Sequence, residues 1–188
     1  MNMKHMKKLI LFLLLIPTVV FSQTYLNAEL VNEEFKTLLN KERKSKGLKP
    51  LNVSYEYREM PDEWVSVIID SYIQEHENML KAMYSGNSSY KWNDVDLHGS
   101  GKNSFYNRCD KFNMVGFGEN MSSLNNSFGP YSESEAVNEM FNSLKNSDGH
   151  YKNMMDPNNN SFYVVIYEKV VNGTHYYMGC QILKKEVF

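Results

Sequence analysis

Along residues 26–46, "LNAELVNEEFKTLLNKERKSK", the apolar positions fall at Leu26, Leu30, Val31, Phe35, Leu38 and Leu39. Steps of three and four place them on one face of an amphipathic helix. Gly47 follows a basic last turn and suits the helix end. A second helix is expected from near Pro61, since a first turn tolerates proline, through "DEWVSVIIDSYIQEHENMLKAM". Ser132-Glu133-Ser134-Glu135 has capping-box spacing, and Ala136, Val137, Met140, Phe141 and Leu144 mark the apolar face of a third helix. The pattern then changes. "SFYVVIYEKVV" and "HYYMGCQIL" are β-branched and aromatic, with Asn172-Gly173-Thr174 between them. Asn-Gly readily takes the positive φ angles of a type I′ turn, so this is a hairpin signal. Helices first and an antiparallel hairpin last predict an α+β layered domain. The stretch "YSGNSSYKWNDVDLHGSGKNS" is polar and glycine-bearing, and reads as a long exposed loop of the kind that often carries function.

The first residues follow a different logic. Lys4, Lys7 and Lys8 precede an apolar run from Leu9 to Ile16, too short for a membrane span of ~20 residues. The run ends in Val20-Phe21-Ser22-Gln23, which reads as a cleavage site. Residues 1–22 are therefore expected to be a secretory signal, and residues 23–188 a single domain without a transmembrane span, secreted or periplasmic. No cysteine stands at the cleavage point to carry a lipid. Losing the leader leaves 17 basic against 22 acidic residues, a net charge of −5. A mildly acidic chain without a basic cluster is not built for nucleic acid or an anionic membrane. Cys109 and Cys180 are the two cysteines, and export permits a disulfide between them. Two cysteines that never meet would look the same, so their pairing stays open at this level.

Of the histidines after the leader, His76 lies in the charged patch "QEHEN" and reads as a solvated surface residue, and His175 follows the hairpin turn. His98 and His150 differ, because each stands beside glycine in a polar loop, "DLHGSG" and "SDGHYKN". Glycine there lets backbone approach closely and a neighbouring side chain face a cleft. Glu119 in "GFGENM" follows a similar flexible pair. Two imidazoles and a carboxylate can bind a divalent metal or do acid–base work. Spacing alone completes no metal motif, since no His-Glu-x-x-His occurs and the three residues spread over about fifty positions. Ser100, Ser104 and Ser147 lie near these histidines, but no Gly-x-Ser-x-Gly elbow marks a nucleophile. Glycine-rich phosphate-binding patterns are absent as well.

Taken in order, these segments resemble the CAP (SCP-domain) superfamily of cysteine-rich secretory, antigen 5 and pathogenesis-related-1 proteins. "LLNKERKSKGLKPLNV" is similar to the family's opening helix, with an asparagine and an arginine before a Gly-Leu-x-Pro-Leu turn. "LHGSG", followed about twenty residues later by "GFGENM", matches its histidine and Gly-Glu-Asn. "GHYKNMMDP" joins the Gly-His-Tyr of eukaryotic members to the ending of bacterial ones, and "YYMGCQIL" fits the last aromatic strand with its glutamine. The likeness covers nearly all of residues 27–185. It implies a three-layer α-β-α sandwich with a central antiparallel sheet and a large cleft. The family's two histidines and first acid would be His98, His150 and Glu119, a set that in some members holds zinc or a related metal. Ser143 stands at the second acid's position, Met140 at that of a tryptophan, and Glu139 lies one turn earlier. The resemblance thus implies weak, exchangeable binding of zinc or another divalent ion, if any, since a carboxylate that favours the cation is missing. The leading expectation is a secreted binding protein that takes a glycan, peptide or lipid in the cleft around His98, Glu119, His150 and Ser143. The alternative is a metal-dependent hydrolase in the same cleft, and the sequence leaves open whether any turnover occurs.

Overall fold

The computed structural model describes residues 23–91 and 95–185. The leader read over residues 1–22 lies outside them. The chain runs through β1 (Gln23–Tyr25), α1 (Ala28–Ser45), β2 (Asn52–Val53), α2 (Glu59–Tyr84), α3 (Phe105–Lys111) and β3 (Phe117–Asn126). It continues through α4 (Glu133–Lys145), α5 (Asp148–Met154), β4 (Asn159–Val171) and β5 (Thr174–Lys185).

Strands β4 and β5 form the centre of the sheet. Their two-residue connection places Asn172 at φ 52° and Gly173 at φ 79°, the left-handed pair that a type I′ turn requires. The strand order is β1-β4-β5-β3, antiparallel throughout, with β2 added parallel to β4. Residues of β4 alternate between two buried faces, so the strand reads as a continuous apolar run rather than an in–out pattern. Phe162, Val164 and Ile166 face one core with Val31, Phe35 and Leu39 of α1 and Ala136, Val137, Met140 and Leu144 of α4. Tyr163, Val165 and Tyr167 face the other, against Trp64, Val65, Ile68 and Ile69 of α2. The result is the three-layer α-β-α sandwich.

The periodic helices form where their patterns place them. Asn27 caps α1 by accepting from the backbone N–H of Glu29 and Leu30 at 3.0 and 3.2 Å. Ser132 and Glu135 close a reciprocal capping box on α4. Leu30 departs from the expected stripe at 51 % exposed, and its place in the core is taken by Asn32. The Asn32 amide pairs with both backbone groups of Val164, donating to the carbonyl at 2.8 Å and accepting from the N–H at 2.9 Å. Arg43 is fully buried and donates to the carbonyls of Lys49, Met154 and Asp156. It thereby ties α1 to the turn after it and to the end of α5.

His76 is not the solvated residue its charged neighbours imply. It is 9 % exposed, with Nδ1 3.0 Å from the Tyr176 hydroxyl and its ring edge-on to that tyrosine. Burial pushes its pKa down. His175 is half-buried beside Glu168, with Nδ1 2.7 Å from Oε1. Val95 and Leu97, read as part of an exposed loop, pack onto the α2-side core.

Candidate functional site

The site grows from an edge strand. Among the described residues β3 pairs only with β5, Glu119 opposite Ile182 and Asn120 opposite Gln181. Neighbouring residues on a strand point to opposite faces. Glu119 therefore enters the layer of α2 and α3, and Asn120 the layer of α4 and α5. The "GFGENM" segment is a strand and not a flexible loop, and His150 lies on the short helix α5 rather than in a loop. These are corrections to the sequence reading. They matter because regular elements hold side chains in register.

On the α2 side, Glu119 is buried, its side chain 1 % exposed. Its Oε1 accepts from Arg108 Nη2 at 2.6 Å, and its Oε2 lies 2.9 Å from Nδ1 of His98. Arg108 Nη1 also donates to the carbonyls of His98 and Asn103, at 2.8 and 2.5 Å. The guanidinium lies over the Trp64 ring at 3.9 Å, a cation–π contact in a desolvated place. Trp64 Nε1 in turn donates to the Leu97 carbonyl at 2.8 Å. Gly99 turns the segment at φ +71°, and a Cβ there would meet the Asn103 carbonyl oxygen at 2.3 Å. Only glycine fits that crossing. His98 is thus clamped on its carbonyl and on Nδ1, while its side chain stays 46 % exposed.

On the other side, Asn120 Nδ2 donates to Gln181 Oε1 at 2.8 Å and to the His150 carbonyl at 3.2 Å. Asn153 Nδ2 donates to Asn120 Oδ1 at 3.0 Å. This buried amide network seats α5 against the edge of the sheet. The His150 ring then stands 6.0 Å from that of His98, centroid to centroid. Burial first, and the neighbouring His98 second, lower the His150 pKa and favour its neutral form. Among the described residues, neither ring nitrogen of His150 nor Nε2 of His98 has a hydrogen-bond partner.

His98, Glu119 and His150 therefore come together from a turn, a strand and a short helix. Ser143 does not join them by any hydrogen bond, and it and Glu139 are exposed on α4, with Met140 buried between them. The set does not suit a three-ligand metal site. Both Glu119 oxygens are committed, one to a fixed cation and one to His98, which leaves two imidazoles where catalytic zinc uses three protein ligands. Among the described residues no cluster of three His, Cys, Asp or Glu is arranged to hold an ion. Cys109 and Cys180 are buried free thiols, so the disulfide that export permits is not made in this structure. Burial and the Glu119 charge push the Cys109 thiol up to about 11 and raise Cys180 as well, and Cys180 Sγ lies 3.7 Å from Glu119 Oε1.

Two larger cavities among the described residues are not lined by either histidine. One of about 810 Å³ is bounded by Tyr57, Met60, Phe112, Phe117 and Lys184. The other, about 480 Å³, lies behind the His98 turn and is bounded by Trp64, Glu75, Asp96 and Gly99.

Sequence reasoning missed Arg108 and Trp64, the residues that hold Glu119 and the His98 segment. No local pattern marks either one. Asn120, Asn153 and Gln181 lie within the quoted motifs, but their role as supports of α5 emerges only from strand register.

A family model described as the cysteine-rich secretory protein family, CAP, matches residues 37–183. No curated protein matches the chain. Solved structures similar to it include a cysteine-rich secretory protein from Staphylococcus aureus, 17 % identical with a TM-score of 0.43, covering 85 % of this chain and 40 % of that one. An extracellular SCP-domain protein from Bacillus anthracis is 19 % identical, TM-score 0.41, covering 82 % and 40 % of the two chains. An outer surface protein from Borrelia burgdorferi is 11 % identical, TM-score 0.41, covering 88 % and 100 %. The chain thus spans two fifths of the length of the first two.

Proposed function

The chain belongs to the cysteine-rich secretory protein (CAP) family, and from that premise we propose that it is an exported binding protein whose ligand, a glycan, peptide or lipid, is taken at the paired imidazoles of His98 and His150. One observation carries this reading. Two rings stand 6.0 Å apart, with Nε2 of His98 and both ring nitrogens of His150 free of partners among the described residues, while Glu119 beneath them is already matched by Arg108. Half-buried polar atoms without protein partners are groups that a ligand satisfies. Glu119 orients His98 from below, and the Asn120–Gln181–Asn153 network seats His150. Export rests on the leader at residues 1–22, with its three lysines and short apolar run.

The hydrolase reading lacks support of this kind. Glu119 would have to bind an ion or take a proton, and both its oxygens are occupied. Screening glycan, peptide and lipid arrays with the wild type beside His98→Ala/His150→Ala tests the binding reading. A ligand retained by the wild type and lost by the folded double variant supports it. Ligands held equally by both proteins remove it.

A further inference from the structure

Arg108 carries a positive charge that it cannot give up, and it is 8 % exposed. Its counter-charge is the Glu119 carboxylate at 2.6 Å. A carboxylate offers acceptors only, so the 2.9 Å contact between Glu119 Oε2 and His98 requires Nδ1 of the ring to donate. In the neutral imidazole the lone pair then sits on Nε2, which has no partner among the described residues. The guanidinium also grips the carbonyls of His98 and Asn103, so one side chain sets both the tautomer of the ring and the position of its backbone.

We propose that Arg108 is a positioning residue that, acting through Glu119, presents Nε2 of His98 as a hydrogen-bond acceptor, so that the ligand is met through a hydroxyl group. This rests on the ligand-binding reading above and names the chemistry of that ligand. A neutral His150 ring carries one N–H and one lone pair. A hydroxyl between the two rings donates to Nε2 of His98 and accepts from the His150 N–H, whereas an amide N–H can only donate. The Arg108 and Glu119 charges cancel beneath the rings, so neither a carboxylate nor an ammonium finds its counter-charge in that pair. An uncharged, hydroxyl-bearing ligand such as a neutral sugar fits best.

The ring-nitrogen spectrum of protein labelled with ¹⁵N-histidine, with His98 assigned by loss of its signals in His98→Gln, tests this. At neutral pH the wild type is expected to show His98 as a single Nδ1–H tautomer. Arg108→Gln removes the donor that fixes Glu119 Oε1 and lets the carboxylate turn away from Nδ1, so mixed tautomers are expected, and Arg108→Lys, which restores the charge, is expected to give the single tautomer again. A wild-type His98 protonated on Nε2 overturns the proposal, and that result needs no variant to fold. So does a folded Arg108→Gln protein with an unchanged His98 spectrum, because a merely structural arginine lowers stability and leaves the tautomer alone. The ligand reading fails separately. An Nδ1–H ring in a protein for which no screen finds a cleft ligand leaves the role of Arg108 standing and removes the proposed function.

Discussion

Replacing Glu119 by glutamine is nearly isosteric, yet it strands a cation. Arg108 would remain buried over Trp64, with the neutral carbonyls of His98 and Asn103 and a neutral amide as its only acceptors. Removing one partner of a buried ion pair costs about 3–5 kcal/mol, most of it the penalty of the uncompensated charge. The Glu119 side chain is 1 % exposed and that of Arg108 9 %, so water offers little relief and the full range applies. In a domain of this size each kcal/mol moves Tm by about 2–4 °C, which predicts a fall on the order of 10 °C. The glutamine amide would also meet the donating Nδ1 of His98 or rotate away from Arg108, so one of the two contacts is lost in either orientation. Urea denaturation of the wild type, Glu119→Gln, Arg108→Met and the double variant closes a cycle. The double variant is expected to be more stable than Glu119→Gln alone, because it removes the orphaned charge. A Glu119→Gln protein within about 1 kcal/mol of the wild type, or strictly additive single costs, refutes the buried-pair argument.

Three further outcomes are expected. Arg43→Met leaves the carbonyls of Lys49, Met154 and Asp156 without their donor, and at about 1–3 kcal/mol per unpaired buried group it costs ~3 kcal/mol or more by urea denaturation; a loss under 1 kcal/mol would reject that assignment. Burial raises the Asp62 pKa from 3.8 to about 6, so the native state holds its proton where the unfolded chain has released it. The Asp62 contribution to stability should therefore be fully present below about pH 4 and be lost, by up to ~3 kcal/mol, as pH rises through 6, a loss that Asp62→Asn abolishes; parallel pH profiles for the two proteins would count against it. Zinc titration by calorimetry should give the same heats for the wild type and His98→Ala/His150→Ala, and saturable binding lost in the double variant would show that two imidazoles suffice.

Legibility followed the range of the interaction. The apolar face of α4, its capping box and the Asn172-Gly173 turn each depend on residues a few positions apart, and all form as read. Reading His76 from its charged neighbours failed, because Tyr176, a hundred positions away, is what buries it. The histidines and the acid could be named from short motifs. The setting of Glu119 on a strand and of His150 on a helix could not, because glycine beside a polar residue looks alike in a loop, in β3 and at the start of α5.

By itself the sequence determined the helical and strand periods, the hairpin and the residue types of the site, since these are matters of local sterics and of which side chains can carry a proton or accept one. Tertiary structure alone decided that β3 is an edge strand, with Glu119 and Asn120 sent to opposite layers. It also decided that Arg108 takes the carboxylate a metal would need. Register and the burial of a charge are set by residues distant in the chain, and no local pattern can encode which of several cations will reach a given acid.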